Sequence, residues 1–206
     1  GNLGTAPPGV RVGIVCDGLD ADSRAAVEEA WTDAATVGVA DIEVVAESGG
    51  SIRSLLSSLS QRVTPAGMEA QRGRLWMLPA AGIALPDGRV VALVGPSGRG
   101  KTTASRVLGS AYGYVSDETV AVDSSGRVHA YRKPLSIIES GESEKAQRSP
   151  SALGLGSLPD ASLRLAGVVL LDRREVVSGA VVSDVDLGDA LEELVDQSSY
   201  LTHLPA

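Results

Sequence analysis

Residues 90–94, Val-Val-Ala-Leu-Val, form an apolar run rich in β-branched side chains, and they lead directly into Gly95-Pro96-Ser97-Gly98-Arg99-Gly100-Lys101-Thr102. A buried strand followed by G-x-x-x-x-G-K-[ST] is the pattern of a loop that wraps its backbone N–H groups around nucleotide phosphates and then starts a helix. A chain carrying it must hold a strand inside a sheet and return by a helix, so the motif constrains the fold to α/β. Each residue type has a physical task. The glycines allow the tight turn, Lys101 offers a compact ammonium to the β and γ oxygens, and the Thr102 hydroxyl is a magnesium ligand. Gly95 to Thr103 are therefore the expected nucleotide-binding residues, with ATP and magnesium as the expected ligands. Lysine is scarce here: of 18 Lys plus Arg, only Lys101, Lys133 and Lys145 are lysine, so one retained in this loop marks a place that wants a point charge.

Composition sets the frame around the motif. The chain has 206 residues, 43% hydrophobic and 21% charged, as an ordinary globular protein does. Phe is absent and aromatics are 3%, so the core must come from Val, Leu, Ile and Ala, which suits buried strands. A net charge of −8 opposes binding to nucleic acid or anionic lipid. Cys16 is the only cysteine, which excludes an internal disulfide, fits a reducing cytoplasm and reads as a buried thiol. His129 and His203 are the only histidines, so no zinc ligand set exists. No signal-peptide pattern and no long apolar run is present, and the expectation is a cytoplasmic protein without nucleic-acid or membrane partners.

The pattern along the chain gives residues 1–9 as a flexible terminus, 10–72 as an α/β segment and 73–206 as the nucleotide-binding domain. In the α/β segment, Val10 to Cys16 reads as a strand, and a helix capped by Asp22 or Ser23 runs through Ala35. Ile42 to Ala46 reads as a second strand, and Ser51 to Val63 as a helix with Ile52, Leu55, Leu56 and Leu59 on its core face. Thr64-Pro65 punctuates that helix before Ala66 to Arg72. Strands at Leu75 to Leu78 and Gly82 to Leu85 and the turn Pro86-Asp87-Gly88 then make a hairpin feeding the glycine loop. A helix from Lys101 to Ala111 returns through the strand Tyr114-Val115-Ser116, and Thr119 to Val122 pairs with Arg127 to Tyr131.

Asp117 and Glu118 close the strand expected beside that of the glycine loop, at the carboxyl end where ligands of open α/β sheets collect. Phosphoryl transfer needs a metal-bound acid and a carboxylate to accept the acceptor's proton, so the candidate catalytic residues are Asp117, Glu118 and Lys101, and the metal residues Thr102 and Asp117. Neighbours on an extended strand face opposite ways, so both acids reach one site only if the chain bends there. Val168-Val169-Leu170-Leu171-Asp172 looks like the metal strand of a transport ATPase. Arg173-Arg174 follow it where such enzymes place Glu, and no Leu-Ser-Gly-Gly-Gln precedes it, so Asp172 reads as the end of a core strand.

The stretch GPSGRGKTT, a short helix, GYVSDETVAVD, the DSSGRV turn and YRKPLSI together resemble the ATP-binding domain of the HPr kinase and phosphoenolpyruvate carboxykinase-like P-loop proteins, from about Leu75 to Ile138. The resemblance implies a P-loop fold of that type, a mixed central sheet with flanking helices. It also implies transfer of the ATP γ-phosphate to a hydroxyl, often serine, of a peptide, protein or small molecule. It assigns Gly95 to Thr103 to nucleotide, Thr102 to magnesium, Asp117 and Glu118 to metal binding and acceptor activation, and Lys133 to charge neutralisation. Relatives carry a histidine in a Leu-His-Ala-Ala type run, whereas this chain reads Leu78-Pro79-Ala80-Ala81. The metal-binding Glu of their downstream loop has no counterpart near Leu153-Gly154-Leu155-Gly156. A nucleotide-binding regulatory or assembly protein without phosphoryl transfer is the second reading, and a homo-oligomer is left open.

Overall fold

The computed structural model describes residues 3–5, 10–138, 145–172 and 179–198. In chain order its elements begin with β1 (Leu3–Thr5), β2 (Val12–Val15), α1 (Ala21–Ala30), β3 (Ala35–Thr36), β4 (Ile42–Val45) and α2 (Ile52–Ala70). They continue with β5 (Trp76–Leu78), β6 (Ala80–Ala84), β7 (Arg89–Val94), α3 (Lys101–Gly109), β8 (Gly113–Ser116), β9 (Val120–Val122) and β10 (Val128–His129). The last are β11 (Leu135–Ile138), β12 (Lys145–Arg148), β13 (Arg164–Leu170) and α4 (Leu187–Gln197), with short 3-10 turns at Thr32–Ala34 and Ser151–Leu153. The described chain is thus mixed α/β, with several sheets and four α-helices. No helix among the described residues is long and apolar enough to cross a membrane. The chain divides into two compact units, Gly1–Arg72 with His129–Ser157, and Gly73–Val128 with Leu158–Ala206.

The first unit is built on a four-stranded sheet ordered β3-β1-β2-β4, in which β2 and β4 are parallel and β1 is antiparallel to β2 and β3. Val12 and Ile14 of β2 bury completely beside Val27 and Trp31, and the Leu55, Leu56, Leu59 and Val63 face of α2 closes the same core. The cap of α1 is Asp20, whose carboxylate accepts from the Ser23 N–H at 2.8 Å, not Asp22 or Ser23. That helix stops at Ala30 instead of Ala35, and a 3-10 turn takes over. Ser51 caps α2, which runs unbroken through Pro65. The proline ring lacks the N–H that would reach the Gln61 carbonyl; both residues lie on the exposed side, where water can serve that carbonyl. Cys16 is a buried free thiol; burial pushes its pKa up, and the nearby Arg24 charge only partly opposes this.

The stretch from His129 to Ser157 belongs to this unit. Tyr131 joins its core, with its hydroxyl 3.1 Å from that of Thr64 on α2. Arg132 is held between the Gly156 carbonyl at 2.8 Å and the Asp33 carboxylate at 3.4 Å, while Asp33 also accepts from the Ser151 N–H and hydroxyl. The hairpin expected to reach Tyr131 therefore ends at His129. Residues 145–148 form β12 and pair antiparallel with β11, and residues 139–144 lie outside the described residues.

In the second unit, a four-stranded sheet is ordered β13-β7-β6-β8. β6 and β7 form the expected hairpin, with Ala80 opposite Val94 and Ala84 opposite Val90. On its other side β6 pairs antiparallel with β8, so β7 and β8 run parallel but are not neighbours. This corrects the expectation that the strand before Asp117 sits beside the glycine-loop strand. The parallel neighbour of β7 is β13, in register from Arg164 opposite Arg89 to Leu170 opposite Val94. Gly82 makes room for the packing of β6: a Cβ there would lie 2.9 Å from a Val120 methyl and 3.0 Å from the Val115 Cβ. β5, β9 and β10 form a separate three-stranded sheet in the order β10-β9-β5.

Candidate functional site

β7 is buried from Ala92 to Val94, and Gly95 continues the buried path before the chain turns out into solvent at Pro96, Ser97, Gly98 and Arg99. A Cβ at Gly95 would stand 3.1 Å from the Leu171 carbonyl oxygen, so the loop leaves the sheet where a side chain would crowd the residue that follows β13. Gly98 and Gly100 have φ of 83° and 98°, the left-handed region, with open space around each. Their conformation is what reverses the backbone, and Gly100 is the residue from which α3 begins. The free N–H groups of the first turn of α3 and the positive end of its dipole are thereby presented at the loop.

Lys101 and Thr102, the first two residues of α3, are half-buried, and Thr103 is exposed. The Lys101 ammonium reaches back across the loop to donate to the Gly95 carbonyl at 2.6 Å and the Pro96 carbonyl at 3.2 Å. Arg99 lies 3.6 Å from the Asp172 carboxylate, which follows β13 at the same end of the sheet.

β7, β8 and β13 are mutually parallel, so their carboxyl ends share one edge, together with the start of the antiparallel β6. Gly95, Asp117 and Asp172 all follow those ends, and Pro79 precedes Ala80 at the same edge. Helix α3 packs over β6 and β8, which carries the chain from the loop to Asp117. Asp117 is half-buried, and its Oδ1 accepts from the hydroxyl of the fully buried Tyr114 at 3.1 Å. Immediately after β8 the Ser116 hydroxyl accepts from the N–H groups of Glu118 at 3.3 Å and Thr119 at 3.2 Å. The chain turns there, with Asp117 half-buried and Glu118 exposed.

Two features of this edge were not read from the sequence. Tyr114 anchors Asp117, and its spacing of three residues across the end of a strand gave no sign of that. Asp172 stands beside the loop because β13 is the strand paired with β7; the apolar run before it was the available signal. Lys133 is 5% exposed and donates to the Pro134 carbonyl within the first unit, so it is a buried lysine and not a surface one.

Two residues at this edge carry oxygen donors of the kind a small hard cation takes, and β6 lies between the strands that lead to them. The Thr102 hydroxyl and the Asp117 carboxylate are hard ligands, and magnesium is commonly bound by one or two such groups plus phosphate oxygens and water. Among the described residues no group of three or more His, Cys, Asp or Glu gathers as an all-protein metal cage. No protein-family model matches the chain, and no curated protein matches it.

Proposed function

We propose that the chain is an ATP-binding phosphotransferase with a P-loop fold of the HPr kinase and phosphoenolpyruvate carboxykinase type. It would move the γ-phosphate of ATP to a hydroxyl, with serine of a peptide or protein the leading acceptor. One observation supports the reading: a buried strand and two left-handed glycines lead into the start of a helix whose first residue, Lys101, lays its ammonium back along the loop.

In this mechanism the amides of the loop and Lys101 bind and orient the triphosphate, and Lys101 exchanges its two carbonyl partners for phosphate oxygens. Thr102 and Asp117 would hold magnesium, which when bound neutralises charge on the β and γ oxygens. Glu118, exposed beside Asp117, accepts the proton of the acceptor hydroxyl as its oxygen bonds to the γ-phosphorus and ADP departs with the electrons of the broken P–O bond. Tyr114 keeps the Asp117 carboxylate in place through its hydrogen bond.

Pro79, at the edge where relatives carry histidine, favours the second reading of a nucleotide-binding regulator without transfer. Incubation with γ-labelled ATP and a serine peptide library separates the two. Label on peptide that disappears in Asp117→Asn supports the phosphotransferase; tight ATP binding with no transfer to any acceptor supports the regulator.

A further inference from the structure

The glycine loop carries two cations, and both are engaged by the protein itself. Lys101 donates to the carbonyls of Gly95 and Pro96. Arg99 faces Asp172, and the backbone just before this acid is tied to the sheet: Leu171 donates its N–H to the carbonyl of Val94, the last residue of β7, at 2.7 Å. The Arg99 and Asp172 side chains are 46% and 55% exposed and 3.6 Å apart, so the pair is longer than a hydrogen bond and open to water. Such a pair is weak and exchanges readily. A guanidinium binds phosphate through two parallel hydrogen bonds, a stronger partner than a distant, hydrated carboxylate.

We infer that Asp172 is a positioning residue of the phosphate loop, holding the Arg99 guanidinium at the β13 side until a polyphosphate takes it over. The inference rests on the nucleotide reading of the loop. Binding then proceeds by exchange: Arg99 gives up its contact with Asp172 for phosphate oxygens, and Asp172 adds to the anionic charge a ligand must bring to win it. The role differs from that of Asp117, which stands at the end of β8, on the side covered by α3.

Inorganic tripolyphosphate isolates the effect from base and ribose, and its affinity is measured by calorimetry without magnesium, for the full chain. Asp172→Asn is expected to tighten binding by about threefold, the scale of an exposed ion pair, with the ligand-free melting temperature unchanged. Asp172→Glu, which keeps the charge, is expected to restore wild-type affinity. In an Arg99→Ala background, Asp172→Asn is expected to leave tripolyphosphate affinity unchanged, because the guanidinium through which it acts is gone. Equal affinity of wild type and Asp172→Asn, or weaker binding by the variant, overturns the inference, as does a tightening that persists without Arg99. If wild type fails to bind tripolyphosphate and Mg-ATP alike, the nucleotide reading itself falls and takes this inference with it.

Discussion

The Lys101 ammonium lies 2.6 Å from the carbonyl oxygen of Gly95, closing a ring that spans the whole glycine loop. The contact ties the start of α3 to the end of β7 through one charged hydrogen bond. It also shows where the ammonium goes when its partners are neutral carbonyls. An anion seated on the loop would compete for the same three donors.

Replacing that lysine separates binding from folding. Lys101→Ala removes a half-buried charge that donates to the loop carbonyls of Gly95 and Pro96, and is expected to weaken Mg-ATP binding by about 10- to 100-fold, the scale of a hydrogen bond to a charged group. The ligand-free melting curve is expected to stay close to wild type. Calorimetric titration paired with a thermal melt checks both; a collapsed melt would make Lys101 a structural residue.

The sheet beneath the site depends on a missing side chain. Gly82→Ala would put a Cβ 2.9 Å from a Val120 methyl and 3.0 Å from the Val115 Cβ, in a buried layer with little room to give. The expected cost is about 1–3 kcal/mol, read from the midpoint of urea unfolding. Unchanged stability would mean that β6 and β9 can part without loss.

Asp33 gathers two stretches distant in sequence. It accepts from the Ser151 N–H at 2.8 Å and hydroxyl at 2.7 Å and pairs with Arg132, with the two charged side chains only 16% and 10% exposed. Asp33→Ala leaves the Arg132 charge and the Ser151 N–H without that partner and is expected to destabilise by about 2–4 kcal/mol. Urea unfolding measures it, and a loss below about 0.5 kcal/mol, the range of a surface change, would contradict the structural role.

Acid should act on two exposed carboxylates. The Ser23 N–H and hydroxyl hold the Asp20 carboxyl below its ordinary value, and Arg89 does the same for Asp87. A lowered folded pKa means stability that is present above the unfolded value of about 3.9 and lost as pH falls through the folded value. Asp20→Asn keeps a capping side chain without the titration, so its melting temperature is expected to fall less than wild type between pH 5 and pH 2. Parallel pH profiles for the two proteins would rule out that contribution.

Local patterning carried far into the site. The valine run, the glycines and Lys101 are contiguous, so β7, the turn and α3 follow from near-neighbour chemistry, and Pro86-Asp87-Gly88 announces the hairpin of β6 and β7. Strand adjacency is non-local and was the first thing lost. Nothing in Gly82 or Ile83 says that β6 lies between β7 and β8, and nothing in Asp172 says that β13 lies on the other side. Pro65 misled for another reason: its cost depends on whether the orphaned Gln61 carbonyl meets water, which burial decides and sequence does not. Tyr131 reads as the end of a hairpin because its partner, Thr64, is remote in the chain, as Asp33 is from Arg132.

The most direct measurement is an amide chemical-shift map of the labelled protein titrated with Mg-ATP. The largest shifts are expected at the backbone N–H groups of Gly98, Arg99, Gly100, Lys101, Thr102 and Thr103, with a smaller set at Asp117 and Glu118, and all lost in Lys101→Ala. Saturating Mg-ATP that leaves the loop amides unmoved, or shifts confined to residues elsewhere, would contradict the assignment of this loop to phosphate.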